Sequence, residues 1–272
     1  MTRFDWGPKP NLETVTGYPG PKEKDFIVIA GPCSIEDREQ VRSVCREISK
    51  RGVTFMRGGV YRAGTYPPNP QDFGLRLDLL YAWYGISKEY GLKIIVEVLD
   101  IRQLEKIASI ANAIQIGARH MQDYALLKEV SQLDMPVTLK RHPGSNVNEF
   151  LGAAEYLCQG KCRPILVERG SSTFMDHVRW DLCVSLISEI KIKTKLPIIV
   201  DASHGSGRRE LVEPLTLSGI AAGSDGFMVE VHPNPEQSFS DARQAYPLQN
   251  FCHLYGRARE LWQLKRNWEE AC

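Results

Sequence analysis

The chain has 272 residues, 43% hydrophobic and 25% charged, the balance of a soluble globular protein. Its 34 basic and 33 acidic side chains leave a formal charge of +1, so no global field exists to draw in nucleic acid or an anionic membrane. No apolar run reaches the roughly 18 residues that cross a bilayer, and the first residues lack the apolar core of a signal peptide. Seven scattered cysteines, an odd number, point to free thiols in a reducing compartment, hence to a cytoplasmic protein without nucleic-acid or membrane partners.

Residues 1–25, rich in Gly, Pro and Lys, read as an extended arm or hairpin. From 26 to 272 strand and helix signals alternate without a composition break. The expected strands are Phe26–Ala30, Val53–Arg57, Lys93–Glu97, Ala113–Ile116, Pro136–Lys140, Pro164–Glu168, Pro197–Asp201 and Gly226–Val231. Each is short, apolar and rich in β-branched residues, the pattern of strands covered on both faces. Between them, Leu75, Leu79, Trp83 and Ile86 mark one helical face and Ile101, Leu104, Ala108 and Ala111 another. Pro214 marks a start or a kink in the seventh helical segment, and an amphipathic helix over Asn250–Trp268 closes the chain. Eight strands with eight helices make a (β/α)8 TIM barrel with a short N-terminal arm, and a doubly wound open sheet is the alternative.

In such a barrel, chemistry gathers after the carboxyl ends of the strands. The first end, Ile29-Ala30-Gly31-Pro32-Cys33-Ser34, places a thiol there. A lone cysteine in that position is ordinarily a small buried hydrophobe, so only its company gives it meaning. The following ends carry Arg57-Gly58-Gly59, Glu97 with Asp100, Arg119, Lys140-Arg141 and Glu168-Arg169. Asp201 with His204, Glu230 with His232, and Asp241 complete the circuit. Five cations converging on one mouth repel each other unless an anion offsets them, which argues for a polyanionic small substrate. Cys33, Glu230, Asp241 and one of the two histidines form a mixed S/N/O donor set, suited to Mn, Fe, Co or Zn rather than Mg or Ca. His204 and His232 are equal candidates on spacing alone. Cys158 and Cys162 lack a second Cys/His pair and read as structural, and no phosphate-loop, dinucleotide-binding or HExxH motif occurs.

The stretches AGPCSIED (30–37), MRGG (56–59), QIGAR (115–119), PVTLKR (136–141), VERG (167–170), VDASHGSGRREL (200–211) and MVEVHPNPEQSFSD (228–241) stand at these strand ends in order. Their succession resembles the metal-dependent 3-deoxy-D-arabino-heptulosonate 7-phosphate (DAHP) synthases. The similarity is to the compact microbial subtype, related to the 3-deoxy-octulosonate 8-phosphate synthases. The resemblance implies an aldol-type condensation of phosphoenolpyruvate with an aldose phosphate such as erythrose 4-phosphate, with release of phosphate, in the shikimate route to aromatic amino acids. It implies a divalent metal ion on Cys33, His204, Glu230 and Asp241, which decides between the histidines. It also implies phosphoenolpyruvate contacts at Arg57, Arg119, Lys140 and Arg169, with Arg119 and Arg169 at the phosphate. Substrate contacts at Arg62, Thr65 and Glu168, catalytic roles for Cys33, Lys140 and His204, and a homodimer or homotetramer follow from the same resemblance. The 25-residue arm is too short to be the added feedback domain of some relatives.

The departures cluster. Where the family runs Lys-Pro-Arg-Thr-Ser, this chain has Arg62-Ala63-Gly64-Thr65-Tyr66, and an arginine of the family's sixth loop is Ser172. Two fewer guanidinium groups weaken a phosphate site by about 1.5–3 kcal/mol each, which tilts the charge count towards a changed, unphosphorylated acceptor in a specialised pathway. The competing reading keeps erythrose 4-phosphate, and a non-catalytic ligand-binding barrel is the third.

Overall fold

A computed structural model describes residues 26–62 and 74–271. The arm expected over 1–25, the departures at Ala63, Gly64 and Tyr66 and the expected substrate contact Thr65 lie outside the described residues, and Arg62 is described only as backbone. Eight parallel strands are β1 (Ile27–Gly31), β2 (Phe55–Gly58), β3 (Lys93–Val98), β4 (Ala113–Ile116), β5 (Pro136–Lys140), β6 (Arg163–Glu168), β7 (Ile198–Asp201) and β8 (Gly226–His232). Each pairs with the next, and β8 returns to β1 in the register Ile27↔Gly226 to Gly31↔Glu230, which closes the barrel. The (β/α)8 expectation holds, and strand bounds differ from those read in the sequence by no more than two residues at either end.

The helices are α1 (Arg38–Ser49), α2 (Leu77–Glu89), α3 (Leu104–Ala108), α4 (Tyr124–Ser131), α5 (Val147–Cys158), α6 (Val184–Lys193), α7 (Arg209–Ala221) and α8 (Phe251–Ala271). Local chemistry starts several of them. Asp37 caps α1 by accepting from the Glu39 and Gln40 amides, and Asn146 with Glu149 forms a capping box on α5. The helix α7 runs straight through Pro214, which is neither its start nor its end. Two expected faces are corrected. On α2 the buried stripe is Leu80, Trp83, Ile86 and Ser87, because the helix begins at Leu77 and Leu75 belongs to a two-residue strand. Before α3, Ile101 sits exposed in a 3-10 turn, and Leu104 and Ile107 do the packing. Among the described residues no helix is long and apolar enough to cross a membrane.

Successive strand residues alternate between the barrel interior and the helical shell. Ile29, Ile95, Ala113, Val167, Ile199 and Met228 form the interior cluster, with Ile27, Phe55 and Ile165 against it. Val28, Ala30, Met56, Ile94, Val96, Val137, Leu139 and Leu166 belong to the larger outer core. Two residues beyond Phe55, Ile95, Ala113, Val167, Ile199 and Met228 lie Arg57, Glu97, Gln115, Arg169, Asp201 and Glu230, with Lys140 in the same phase two beyond Thr138. The pleat therefore stacks a polar layer directly on the apolar one.

Candidate active site

The polar layer is held by ion pairs. Arg57 donates from an NH1 group to Glu230 Oε1 at 2.6 Å and to the Pro32 carbonyl at 3.0 Å. That second bond fixes the turn carrying Cys33. The turn can approach only because residue 31 is glycine: a Cβ there would stand 2.0 Å from the Arg57 carbonyl oxygen. On the opposite wall Asp201 Oδ2 takes Lys140 Nζ at 2.8 Å and His204 Nδ1 at 2.7 Å, and Lys140 Nζ is 3.4 Å from that same ring nitrogen. His204 Nε2 faces Glu230 Oε1 at 3.2 Å, so one chain of contacts links Lys140, Asp201, His204, Glu230 and Arg57.

Cys33, Glu230 and Asp241 present ligating atoms within 4.8 Å of one another, and Cys33 Sγ donates to Asp241 Oδ2 at 3.3 Å. His204 touches this trio through Glu230. His232 does not, because its Nε2 lies 3.4 Å from Glu36 and its Nδ1 accepts from the Asn234 amide. The chemistry of the donors fits a divalent cation. Burial, followed by the charge of Glu230, pushes the Cys33 thiol far above its usual range, against the opposing pull of Arg57 and, to a lesser degree, of Ser240. Two carboxylates and a thiol gathered this closely call for a positive charge that the protein itself supplies only at the edge, and a divalent cation would fit there. Burial alone would raise the Glu230 carboxyl, but His204, Arg57 and Lys140 hold it down at about 2. Burial likewise opposes ionisation of Asp201, and His204 and Lys140 overcome it to leave a persistent carboxylate.

Arg169 stands differently. It is 6% exposed, its Nε has no partner, and its side chain makes no ion pair among the described residues. Burial and the nearby Arg179 work against its charge, and its guanidinium rests over the Trp180 ring at 5.6 Å. Arg57 Nε and Gln115 Oε1 are also buried without partners. Orphaned polar atoms in one layer are what a polar ligand would satisfy. Arg119 lies exposed in the turn after β4, and Lys140 is 4% exposed.

Two residues expected at the substrate do not face it. Glu168 is one residue out of phase with the interior positions, and its carboxylate is consumed by Arg141 and by the amides of Gly170 and Cys183. Arg141, counted among the converging cations, is the other half of that pair. Two further residues carry the metal cluster's outer contacts. Gln244 Nε2 donates to Glu230 Oε2 at 2.6 Å, and Arg179 donates to Asp241 Oδ1 at 3.3 Å. Both sit in irregular loops where no periodicity announces them. The Cys162 thiol is buried, and burial pushes it and Cys158 up to about 12, as structural thiols.

Known proteins are similar to this chain in sequence and in fold. The profile of the DAHP synthetase I family matches residues 16–269. A phospho-2-dehydro-3-deoxyheptonate aldolase of Thermotoga maritima is 40% identical over 237 residues, covering 87% of this chain and 70% of that protein. A 2-dehydro-3-deoxyphosphooctonate aldolase of an Azoarcus species is 25% identical over 90% of this chain and 94% of its own length. The crystal structure of the Thermotoga maritima DAHP synthase superposes with a TM-score of 0.83 at 37% identity, over 89% of this chain and 70% of that one. Its truncated form gives 0.80 at 36% identity, over 89% and 88%. The closed barrel, the polar layer on its interior and these similarities together place the chain in the DAHP synthetase I family, as an enzyme.

Proposed function

We propose that the chain condenses phosphoenolpyruvate with erythrose 4-phosphate to give DAHP and inorganic phosphate. The observation that carries this reading is Arg169, a buried guanidinium that makes no ion pair among the described residues, beside the Lys140–Asp201–His204 chain. Arg169 and Arg119 would grip the phosphate of phosphoenolpyruvate, since guanidinium forks match phosphate bidentately. Lys140 and Arg57 would neutralise its carboxylate. Cys33, His204, Glu230 and Asp241 would hold a divalent metal ion, which when bound supplies a Lewis acid for the aldehyde oxygen.

The bond changes follow from this placement. C3 of phosphoenolpyruvate forms the new C–C bond to the aldehyde carbon, and the aldehyde oxygen takes up a proton. Water adds at C2, and the resulting hemiketal expels phosphate by C–O cleavage. Fixed cations around C2 lower the cost of the charge that moves between carboxylate and phosphate. Lys140 and His204, 3.4 Å apart and both held by Asp201, are the groups able to hold or pass a proton beside the reacting centre.

The identity to a DAHP aldolase supports the sugar-phosphate acceptor over the unphosphorylated one, and neither relative's name supports a non-catalytic barrel. The test is phosphate release by the Mn2+-loaded protein from phosphoenolpyruvate with erythrose 4-phosphate, arabinose 5-phosphate or D-erythrose. Turnover with erythrose 4-phosphate well above the other two is expected. Turnover with D-erythrose alone, or with none of them, overturns the reading. Light scattering on the same sample reads the homodimer or homotetramer that the family resemblance implies.

A further inference from the structure

Arg169 is a buried cation whose side chain forms no ion pair among the described residues and whose Nε has no partner. The acids whose fields reach it are committed elsewhere. Asp201 is taken by Lys140 and His204, Glu168 by Arg141, and Glu230 by Arg57 and Gln244. What the guanidinium does meet is an aromatic ring, with Cζ 5.6 Å from the centre of the Trp180 indole. The quadrupole of such a ring attracts a cation, and more strongly where water is excluded. Unlike a carboxylate, it offers no oxygen that an incoming anion would have to displace.

Trp180 is itself held on two sides. Its amide donates to the Gly205 carbonyl at 3.1 Å and the Arg179 amide to the Ser206 carbonyl at 2.8 Å, so this stretch lies along the turn that carries His204. On the other side Ser171 and Asp181 exchange amide–carbonyl bonds at 2.8 and 2.9 Å, which ties the stretch back to the loop after β6. Gly170, at φ 99°, leaves the room: a Cβ there would stand 2.6 Å from Trp180 Cβ. The indole Nε1 is buried without a partner. A side chain present only to fill this space would avoid that cost, since phenylalanine or leucine buries no donor. The aromatic face has a use that packing alone does not give it.

We infer that Trp180 is the positioning residue of Arg169: its indole holds the guanidinium in place without neutralising it, so that phosphoenolpyruvate meets an oriented and uncompensated charge. The inference rests on the proposed function. An ion pair at the same place would fix the arginine as well, but would have to be broken for every anion bound. The ring contact reduces the ordering that binding requires and leaves the guanidinium fork to the phosphate.

The experiment measures phosphoenolpyruvate binding to the Mn2+-loaded protein by titration calorimetry, with kcat and KM on the same samples. It compares wild type, Trp180→Phe, Trp180→Leu, Arg169→Met and the double variant Trp180→Leu with Arg169→Met. Trp180→Leu should weaken binding about 5- to 30-fold and raise KM for phosphoenolpyruvate in step, with KM for erythrose 4-phosphate within about twofold. Trp180→Phe, which keeps a smaller ring, should recover most of the loss. In the Arg169→Met background Trp180→Leu should add less than about twofold, because Trp180 acts through that guanidinium. If the leucine variant does not fold, Trp180→Met takes its place in each comparison. Binding unchanged by the loss of the ring, weakened by the same factor with and without Arg169, or no better in Trp180→Phe than in Trp180→Leu overturns the assignment while the proposed function stands. Absence of phosphoenolpyruvate binding by wild type overturns the proposed function, and the assignment with it.

Discussion

Arg141 and Glu168 close a two-point ion pair on the outer side of the barrel wall, Nε to Oε2 at 2.5 Å and NH2 to Oε1 at 3.0 Å, with 1% and 0% of the side chains exposed. Glu168 also accepts the amides of Gly170 and Cys183, so the pair anchors both ends of the loop that follows β6. Its role is to fix the backbone from which Arg169 projects inwards.

Glu168→Gln should therefore act on stability before it acts on substrate. The change leaves a buried guanidinium without a counter-charge, which costs about 3–5 kcal/mol. Thermal unfolding should show a fall in Tm on the order of 10 °C. A KM for phosphoenolpyruvate that rises while Tm stays fixed would return Glu168 to the substrate.

Cys33→Ala tests the metal cluster. Removing the thiolate should cut bound metal well below stoichiometric, as read by elemental analysis after dialysis, and activity should fall with it. The fold should persist, since Cys33 is only half-buried and its thiol donates to Asp241 rather than to the backbone. Full metal occupancy in the variant would remove Cys33 from the ligand set.

Much of this site is legible in the sequence, for a physical reason. Strands covered on both faces must be continuously apolar, so Ala113–Ile116 and Pro136–Lys140 stand out with the bounds they have in the structure. Where apolar runs end, Arg57, Lys140, Asp201 and Glu230 follow at once. Strand phase is harder to see. Glu168 and Arg169 are neighbours at one strand end, yet the pleat sends them to opposite faces, and only the register with β5 and β7 reveals which goes inwards. On α2, Trp83 and Ile86 are buried as expected, but Leu80 takes the place of Leu79 and Leu75 falls outside the helix, whose start at Leu77 carries no capping side chain to mark it. Gln244 and Arg179 come from irregular loops, where no period links sequence to position. Spacing alone does not separate His204 from His232; the family resemblance favours His204, and in the structure only His204 reaches Glu230.

Asp201→Asn removes the charge that orders two groups at once. Lys140 and His204 both lean on Asp201 Oδ2, and an amide of the same shape cannot serve as counter-ion to a buried ammonium. Steady-state phosphate release should show kcat reduced on the order of 100-fold, comparable to loss of one oriented electrostatic contact. A kcat near wild type would show that Lys140 and His204 hold their places without it.

Arg169→Met sets function against stability. In the free protein Arg169 is desolvated, stacked on Trp180 and without an ion pair among the described residues, so burial makes its charge a cost to folding that the nearby Asp201 offsets only in part. Methionine keeps the length of the side chain and much of the contact with the ring while removing that charge. The variant should unfold at the same temperature as wild type or above it. Its KM for phosphoenolpyruvate should rise about 10- to 100-fold, the worth of one charged hydrogen-bonded contact. Affinity for phosphoenolpyruvate must fall with no fall in Tm if Arg169 is placed for the ligand. A lowered Tm with an unchanged KM would mean that the guanidinium serves the fold, and the phosphate would then have to be sought at Arg119 and Lys140 alone.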